Sequence, residues 1–283
     1  MASFTNQARL TYNNTVANSN VAVGEIIEVL SATKTALPDE YTQNGNVTFV
    51  VNIVNSGDSA YNGLSLADNL GAYVIGTETY YPLTYVDGNV LYFVNGVPQA
   101  TPVVTVADGF VTFTGINVPA NGNATIVYDT VTNAFAPVGL GDTITNTVTV
   151  TGDGVTPFTA ETVITASDEP VLSITKSISP VPVTENGTLT YTFVIQNYGN
   201  TAADEGDNVV LTDPFDPVLK NIIVTYNGTT WTEGVEYTYN ETTGDFATVA
   251  GNITVPGATY TQNADGTYLV TPGSVIITVT GTV

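Results

Sequence analysis

The residue types in this chain that could react with one another are lysine, aspartate and asparagine. The sequence has three lysines and one arginine in 283 residues, and neither histidine nor cysteine. Two of the lysines, Lys34 and Lys176, open similar stretches, KTALPDEYTQNGNVTFVVNIVNSG and KSISPVPVTENGTLTYTFVIQNYG. Such self-similarity predicts two domains of one kind, with a lysine at the same position in each.

The repeat continues past each lysine and then differs between the copies. GLSLADNLG matches NVVLTDPFD, which aligns Asp68 with Asp213, and GNATIVYDTVT matches GSVIITVTGTV. The first copy goes on to ITNTVTVT, a strand pattern with Asn146, and a similar pattern, FTNQARLTYN with Asn6, precedes the first lysine instead of following the second copy. The sequence therefore predicts a circularly shifted pair: a final strand, a complete domain, and a domain that lacks its final strand.

Strand parity places the polar residues on apolar faces, because side chains two apart in a strand point to the same side. Lys34, for example, alternates with Leu30 and Ala32. The same alternation predicts an inward side chain at every member of two sets, Lys34, Asp68 and Asn146 in the first and Lys176, Asp213 and Asn6 in the second.

A buried set of this kind predicts a self-crosslinking reaction. Burial lowers the pKa of a lysine and raises that of a nearby carboxylic acid, so a neutral amine would lie beside a protonated acid. The amine would attack the asparagine carboxamide, while Asp68 or Asp213 polarises the amide oxygen and passes the proton to departing ammonia. The product is an amide bond between the lysine and the asparagine.

Two alternatives stay open at the level of sequence. The lysines could extend from strand ends and form ion pairs with the aspartates without reacting. The assisting acid could also be another carboxyl group, namely Asp39, Glu40, Glu25, Glu161 or Glu185.

Composition predicts an all-β chain that is not an enzyme. Apolar residues alternate in segments such as VTFVVNIVN and TLTYTFVIQN, NG and DG pairs between them are typical of turns, and no helical period is sustained. A net charge of −22 argues against nucleic acid and anionic membranes as partners. We expect no cofactor, no metal site and no membrane insertion, since a nucleophile motif, calcium-loop spacing and a long apolar run are all missing from the sequence.

The lysine-containing block resembles a known family. The pattern K-x(10)-G-x(4)-[FY], continuing to N-x-G, an apolar strand ending in Asp and then T-N-x-[AV]-x-[LV]-T, is similar to the conserved-repeat domain of unknown function found in tandem in bacterial (Firmicute) and archaeal surface proteins. The resemblance implies immunoglobulin-like β-sandwiches and Lys-Asn isopeptide bonds of the kind carried by related adhesin and pilin domains. It implies Lys34 and Lys176 as the lysines and Asn146 and Asn6 as the acceptors, and the second copy departs from it by lacking the T-N-x-x strand.

These features together predict a fibre subunit. We expect a donor-strand segment at residues 1–24, a complete sandwich at 25–155, a linker at 156–170 and an incomplete sandwich at 171–283. The donor strand would complete the second domain of another copy, giving a head-to-tail homopolymer with Lys34–Asn146 bonds within chains and Lys176–Asn6 bonds between them. The inward face of the donor strand comprises Phe4, Asn6, Ala8, Leu10 and Tyr12.

The expected location is the outside of a cell or spore. The opening residues, MASFTNQARL, do not resemble a signal peptide, so export would need another route, such as lysis of the mother cell around a spore. The alternative is a surface adhesin or carbohydrate-binding sandwich. Its binding aromatics would come from Trp231, Tyr73, Tyr80, Tyr81, Tyr237 and Tyr239.

Overall fold

The computed structural model describes residues 2–26 and 28–283, and it is built from β-strands with one short 3-10 helix, Glu205–Asp207. Three regions follow one another along the chain. We call residues 2–26 the N-terminal hairpin, the strands from Leu30 to Ala166 domain D1, and those from Leu172 to Thr282 domain D2.

The strands of each region alternate apolar and polar residues, as half-buried strands do. The N-terminal hairpin contains β1 (Ala2–Asn6), β2 (Arg9–Tyr12), β3 (Thr15–Asn18) and β4 (Ala22–Ile26). D1 contains β5 (Leu30–Leu37), β6 (Glu40–Tyr41), β7 (Asn46–Asn55), β8 (Tyr61–Asp68), β9 (Tyr73–Ile75), β10 (Glu78–Tyr80), β11 (Leu83–Tyr85), β12 (Leu91–Val94), β13 (Val97–Pro98), β14 (Val103–Ala107), β15 (Phe110–Val118), β16 (Gly122–Thr132), β17 (Thr143–Gly152) and β18 (Val155–Ala166). D2 contains β19 (Leu172–Ser179), β20 (Thr188–Asn197), β21 (Thr212–Pro214), β22 (Lys220–Tyr226), β23 (Thr229–Thr230), β24 (Tyr237–Tyr239), β25 (Asp245–Thr248), β26 (Thr259–Gln262), β27 (Tyr268–Thr271) and β28 (Gly273–Thr282).

D1 is a β-sandwich of two sheets. One sheet has the order β13-β12-β16-β7-β5, with β11 also paired to β16, and the other has the order β14-β15-β8-β17-β18-β6. Inward residues of both sheets form a closed core, which includes Val47, Phe49, Val51, Leu64, Leu66, Val111, Phe113, Ile126, Tyr128, Val148 and Val150. The sandwich brings β5 of the first sheet opposite β8 and β17 of the second.

D2 repeats this arrangement without one part of it. Its larger sheet, β19-β20-β28-β22-β23, matches the first sheet of D1, and its smaller sheet, β21-β25-β24, matches β8-β15-β14. The registers agree, because Lys34 pairs with Val51 on β7 and Lys176 with Phe193 on β20. In D1 the strand β8 pairs with both β15 and β17, whereas its counterpart β21 pairs only with β25 among the described strands.

The N-terminal hairpin reproduces the part that D2 lacks. β1 pairs with β4 and β2 with β3, so residues 2–26 form one long antiparallel ribbon. Asn6 pairs with Ala22, and the D1 hairpin β17–β18 pairs Asn146 with Thr162 at the same separation. Both ribbons therefore have the same length and register.

Two expectations on organisation need correction. The element that D1 has and D2 does not have among the described strands is a hairpin of two strands, β17 and β18, and not a single final strand. Most of the linker expected at 156–170 belongs to β18, because the inward residues Ile164 and Ala166 of that strand are buried in the D1 core. The sequence of β18 conceals this, since Pro157, the inward Thr162 and the outward Val163 weaken its alternation.

Candidate functional site

The candidate site of D1 is a buried ion pair that joins the two sheets. Lys34 on β5 and Asp68 at the end of β8 both have fully buried side chains, and Lys34 Nζ lies 2.5 Å from Asp68 Oδ2. The ammonium also lies over the ring of Phe49, 4.5 Å from its centroid. The inward orientation predicted for both residues is present in the structure.

Two further donors hold the Asp68 carboxylate in place. The backbone N–H of Leu70 donates to Oδ1 at 2.7 Å, and the Tyr128 hydroxyl donates to Oδ2, the same oxygen that contacts Lys34. Tyr128 is fully buried on β16. Its burial, and to a lesser extent the negative charge of Asp68, raise the pKa of its hydroxyl well above the ordinary value. The phenol therefore stays a neutral donor.

Burial also changes the lysine. Desolvation lowers the pKa of Lys34 to about 8, against the opposing attraction of Asp68 and its hydrogen bond. By this value roughly a tenth of the amine is neutral near pH 7. A buried lysine with an accessible neutral form is a candidate nucleophile.

Asn146 lies on β17, the strand that pairs with the end of β8. Val148 of the same strand pairs directly with Asp68, and Asn146 is the next inward residue, fully buried. Its Oδ1 accepts a hydrogen bond from the backbone N–H of Gly71 at 3.3 Å, and its Nδ2 has no hydrogen-bond partner in the described structure. A buried amide nitrogen without a partner is uncommon in folded proteins and indicates a strained or reactive site.

The turn that follows β8 supplies the donor to Asn146. Gly71 has φ +70°, and a Cβ added there would lie 2.5 Å from Ile144 Cγ2. Asn69 supports this turn, since its Oδ1 accepts from the backbone N–H groups of both Gly71 and Thr147. Glycine is thus required for the backbone to approach β17 so closely.

The corresponding site of D2 is open. Lys176 and Asp213 are in contact, but 40% and 13% of their side chains are exposed, and the carboxylate oxygen makes no well-aligned hydrogen bond. Lys176 Nζ lies 4.3 Å from the centroid of Tyr191, as Lys34 lies over Phe49. The site has the lysine and the acid in the same relation as D1, without an asparagine.

An apolar groove runs past this open site. Leu172, Ile174 and Ile178 of β19 are exposed, as is Val210 before β21. The groove lies between β19 and the segment leading into β21. In D1 the same place is covered, because β18 packs along β5 and β17 pairs with β8.

Asn6 is the predicted acceptor that the structure does not bring to a lysine of its own chain. It lies on the N-terminal hairpin, paired with Ala22, and residues 4–23 are all exposed. The predicted donor face, Phe4, Asn6, Ala8, Leu10 and Tyr12, is therefore solvent-accessible throughout.

Sequence reasoning missed Tyr128 and the Leu70 and Gly71 backbone donors, since nothing local marks them as neighbours of Asp68 or Asn146. The alternative acids do not lie at the site, because each is exposed: Asp39, Glu40, Glu25, Glu161 and Glu185. Asp68 and Asp213 are the carboxyl groups in contact with the two lysines.

The aromatic residues considered for a sugar site take part in packing. Trp231 stacks on Tyr226 with a ring distance of 5.1 Å, and Tyr80 packs on Phe135 at 5.6 Å. Tyr237 is buried in the D2 core. Tyr73 packs on Tyr80 at 5.8 Å in D1, whereas Trp231 and Tyr237 lie in D2.

Comparison with known proteins assigns no family. No protein-family model matches this chain, and no curated protein matches it. Among solved structures, the major pilin subunit of Bacillus cereus is 9% identical, with 96% of this chain and 73% of that chain covered and a TM-score of 0.39. A C-terminal fragment of the major pilin GBS80 of Streptococcus agalactiae is 12% identical, covering 87% and 86% with a TM-score of 0.36.

A collagen-binding domain from a Staphylococcus aureus adhesin is 13% identical over 47% of this chain and 96% of that chain, with a TM-score of 0.31. Likenesses at these scores carry no inference about the function of this chain. Within residues 2–26 and 28–283 no helix has the length and apolarity needed to cross a membrane.

Proposed function

We propose that this protein is the structural subunit of an extracellular or spore-surface fibre that assembles head-to-tail. The observation that carries the proposal is the pair of matching hairpins. The N-terminal hairpin has the register of β17–β18, and D2 has an open strand edge and an apolar groove where D1 holds that hairpin. Insertion of the N-terminal hairpin of one copy into D2 of the next completes a second sandwich.

The D1 registers specify how the hairpin docks. Val148 and Val150 pair with Asp68 and Leu66 in D1. By the same register, Ala8 pairs with Asp213 of the next copy. Asn6 would then take the position that Asn146 has in D1, two residues before the one paired with the aspartate.

Apolar surface on both partners supports the docking. On the hairpin, Phe4 and Leu10 are 54% and 63% exposed, and on D2, Ile174 is 52% exposed. Burying a large aliphatic or aromatic side chain contributes roughly 1.5–3 kcal/mol each. Because the contact joins two different surfaces, it leaves a free hairpin and a free groove after every addition and builds an open filament.

The contacts of the D1 site support crosslinking within that domain. Neutral Lys34 Nζ attacks Asn146 Cγ, and the Gly71 N–H stabilises the negative charge that develops on Oδ1. Asp68 takes the proton released by the attacking nitrogen and delivers it to Nδ2, which leaves as ammonia. One C–N bond forms, one C–N bond breaks, and the buried ammonium is replaced by a neutral amide.

The same chemistry in D2 requires a second chain. Lys176 and Asp213 supply the nucleophile and the proton carrier, and Asn6 of the docked hairpin supplies the carboxamide. The bond between chains therefore forms only after docking, whereas the Lys34–Asn146 bond forms in a single chain. Each joint of the filament becomes covalent.

Assembly and crosslinking are tested separately by two variants. Deletion of residues 1–26 should leave a non-polymerising chain by electron microscopy, while Asn6→Ala should still form filaments that separate into monomers on boiling in denaturant. The unmodified chain should give a ladder of covalent oligomers. Filaments from the deleted chain would refute hairpin docking, and a ladder from Asn6→Ala would refute the assigned acceptor.

Asn146→Ala is the matched control for the bond within D1. The unmodified chain should have an intact mass lower than its sequence mass by one ammonia per bond, and Asn146→Ala should lose the deficit assigned to D1. An unshifted mass in the unmodified chain would exclude crosslinking and leave strand exchange as the mode of assembly.

A further inference from the structure

Two insertions, one from each domain, contribute to the contact between D1 and D2 within one chain, together with a hydrogen bond from Asn200 Nδ2 to the Val138 carbonyl. D1 connects β8 to β12 through residues 69–90, which include β9, β10 and β11, where D2 connects β21 to β22 through residues 215–219. D2 connects β25 to β28 through residues 249–272, which include the β26–β27 hairpin, where D1 connects β15 to β16 through residues 119–121. Each domain thus carries an element that the other lacks.

The two insertions meet at a packed aromatic surface. Tyr80 of β10 packs against Gly266 in the turn of the β26–β27 hairpin, where an added Cβ would lie 2.0 Å from Tyr80 Cε1. Tyr80 packs on Phe135 at 5.6 Å and on Tyr73 at 5.8 Å between ring centroids. Gly266 has φ +82°, so both the backbone conformation and the space require glycine.

Directional contacts fix the orientation of this surface. The backbone N–H of Tyr268 donates to the Ala134 carbonyl at 2.9 Å, and Gln262 Nε2 donates to the Tyr73 hydroxyl at 3.3 Å. Tyr260 of β26 packs against the core of D1. Apolar packing and hydrogen bonds from one hairpin to two D1 segments restrict rotation of D2 about the chain that connects the domains.

We propose that these paired insertions make D1 and D2 one rigid unit, and that the joint between successive copies, which lacks both, is the point where a filament bends. At the joint between copies, D2 of one chain would precede D1 of the next. The short connections 215–219 and 119–121 then occupy the positions of the two insertions. The part concerning filaments depends on the proposed assembly, whereas the rigidity of the D1–D2 pair does not.

The absence of cysteine from the sequence allows a direct test. Thr105→Cys on D1 and Thr238→Cys on D2, both exposed positions, introduce two spin labels into the full chain, diluted into unlabelled chain. Double electron–electron resonance should give one narrow distance distribution. Replacement of residues 257–272 by Ala-Asn, the dipeptide found at 120–121 of D1, should cause loss of that single peak.

Tyr80→Ala is a milder second variant that leaves both connections intact, and it should broaden the peak to a smaller extent. A broad distribution in the unmodified chain, or an unchanged narrow one after the replacement, would overturn the rigid pair. In filaments, electron microscopy should find bending at every second joint, and equal bending at all joints would overturn the second half of the proposal. A failure to form filaments refutes the assembly, and the distance measurement still decides the rigidity.

Discussion

The lysine sites of D1 and D2 contain the same two residue types in the same register, yet their surroundings differ. The Lys34 and Asp68 side chains are fully buried, whereas those of Lys176 and Asp213 are 40% and 13% exposed. The difference arises from one hairpin, β17–β18, which covers the first site and has no counterpart over the second among the described strands. A single supersecondary element thus separates a closed site from an open one.

The comparison also shows what the hairpin changes energetically. An exposed ion pair typically contributes less than about 1 kcal/mol, while a buried one carries a large desolvation cost that the pairing must offset. Covering the pair therefore creates a desolvation cost. In the proposed reaction, the carboxamide on the same hairpin removes this cost by bonding to the lysine.

The largest expected effect is on the stability of D1 when the proposed Lys34–Asn146 bond cannot form. Asn146→Ala removes the proposed covalent link between residues 34 and 146, and links that close loops of about a hundred residues stabilise by roughly 4–5 kcal/mol in the chain-entropy model. Thermal unfolding should move to a lower temperature by the corresponding amount. Asn6→Ala is the matched control, and a monomer of that variant should unfold like the unmodified monomer.

Removal of each lysine should sharpen the contrast between a buried and an open pair. In the Asn146→Ala background, Lys34→Ala leaves Asp68 buried without its cation and should cost about 3–5 kcal/mol, whereas Lys176→Ala should cost less than about 1 kcal/mol. Urea unfolding of both variants measures the difference. Equal losses would contradict the assignment of different surroundings.

The pH dependence of stability should also distinguish the D1 site. The pKa of Lys34 is lowered to about 8 in the folded state, so the unfolded chain binds more protons between pH 8 and 10.5 and stability should rise with pH in that interval. The full rise is roughly 3 kcal/mol. The rise should appear in Asn146→Ala and vanish in Lys34→Met/Asn146→Ala. Both variants contain the same tyrosines, so comparing them cancels the contribution of tyrosine ionisation.

A smaller effect than the loss of Lys34 is expected from removing the Tyr128 hydroxyl, which has no equivalent at the corresponding position of D2. Tyr128 on β16 pairs with Phe49 on β7. In D2 the counterpart of Phe49 is Tyr191, which pairs with Val279, so a valine stands at the position of Tyr128. Tyr128→Phe should cost about 1.5–3 kcal/mol, the usual contribution of a hydrogen bond to a charged group. Denaturant unfolding in the Asn146→Ala background checks this, and an unchanged midpoint would show that the hydroxyl does not support Asp68.

Much of this site could be predicted from sequence because strand parity is local. Alternation with Leu30 and Ala32 was enough to orient Lys34 inward, and the repeat then located Asp68 and Asn146. The second strand of the hairpin is not predicted because the sequence of β18 does not alternate cleanly: Pro157 lies near its start, Thr162 faces inward and Val163 faces outward. Tyr128 and Gly71 were missed for another reason, since their contacts connect strands and turns that are distant in sequence.

The equal register of the N-terminal hairpin and β17–β18 has a consequence for filament growth. A filament built by hairpin docking is polar: one end presents a free hairpin and the other an open D2. The two ends therefore need different terminators. A molecule that carries only a matching hairpin would stop growth at the open end, while one that carries only an open sandwich would stop it at the other and could serve there as an anchor.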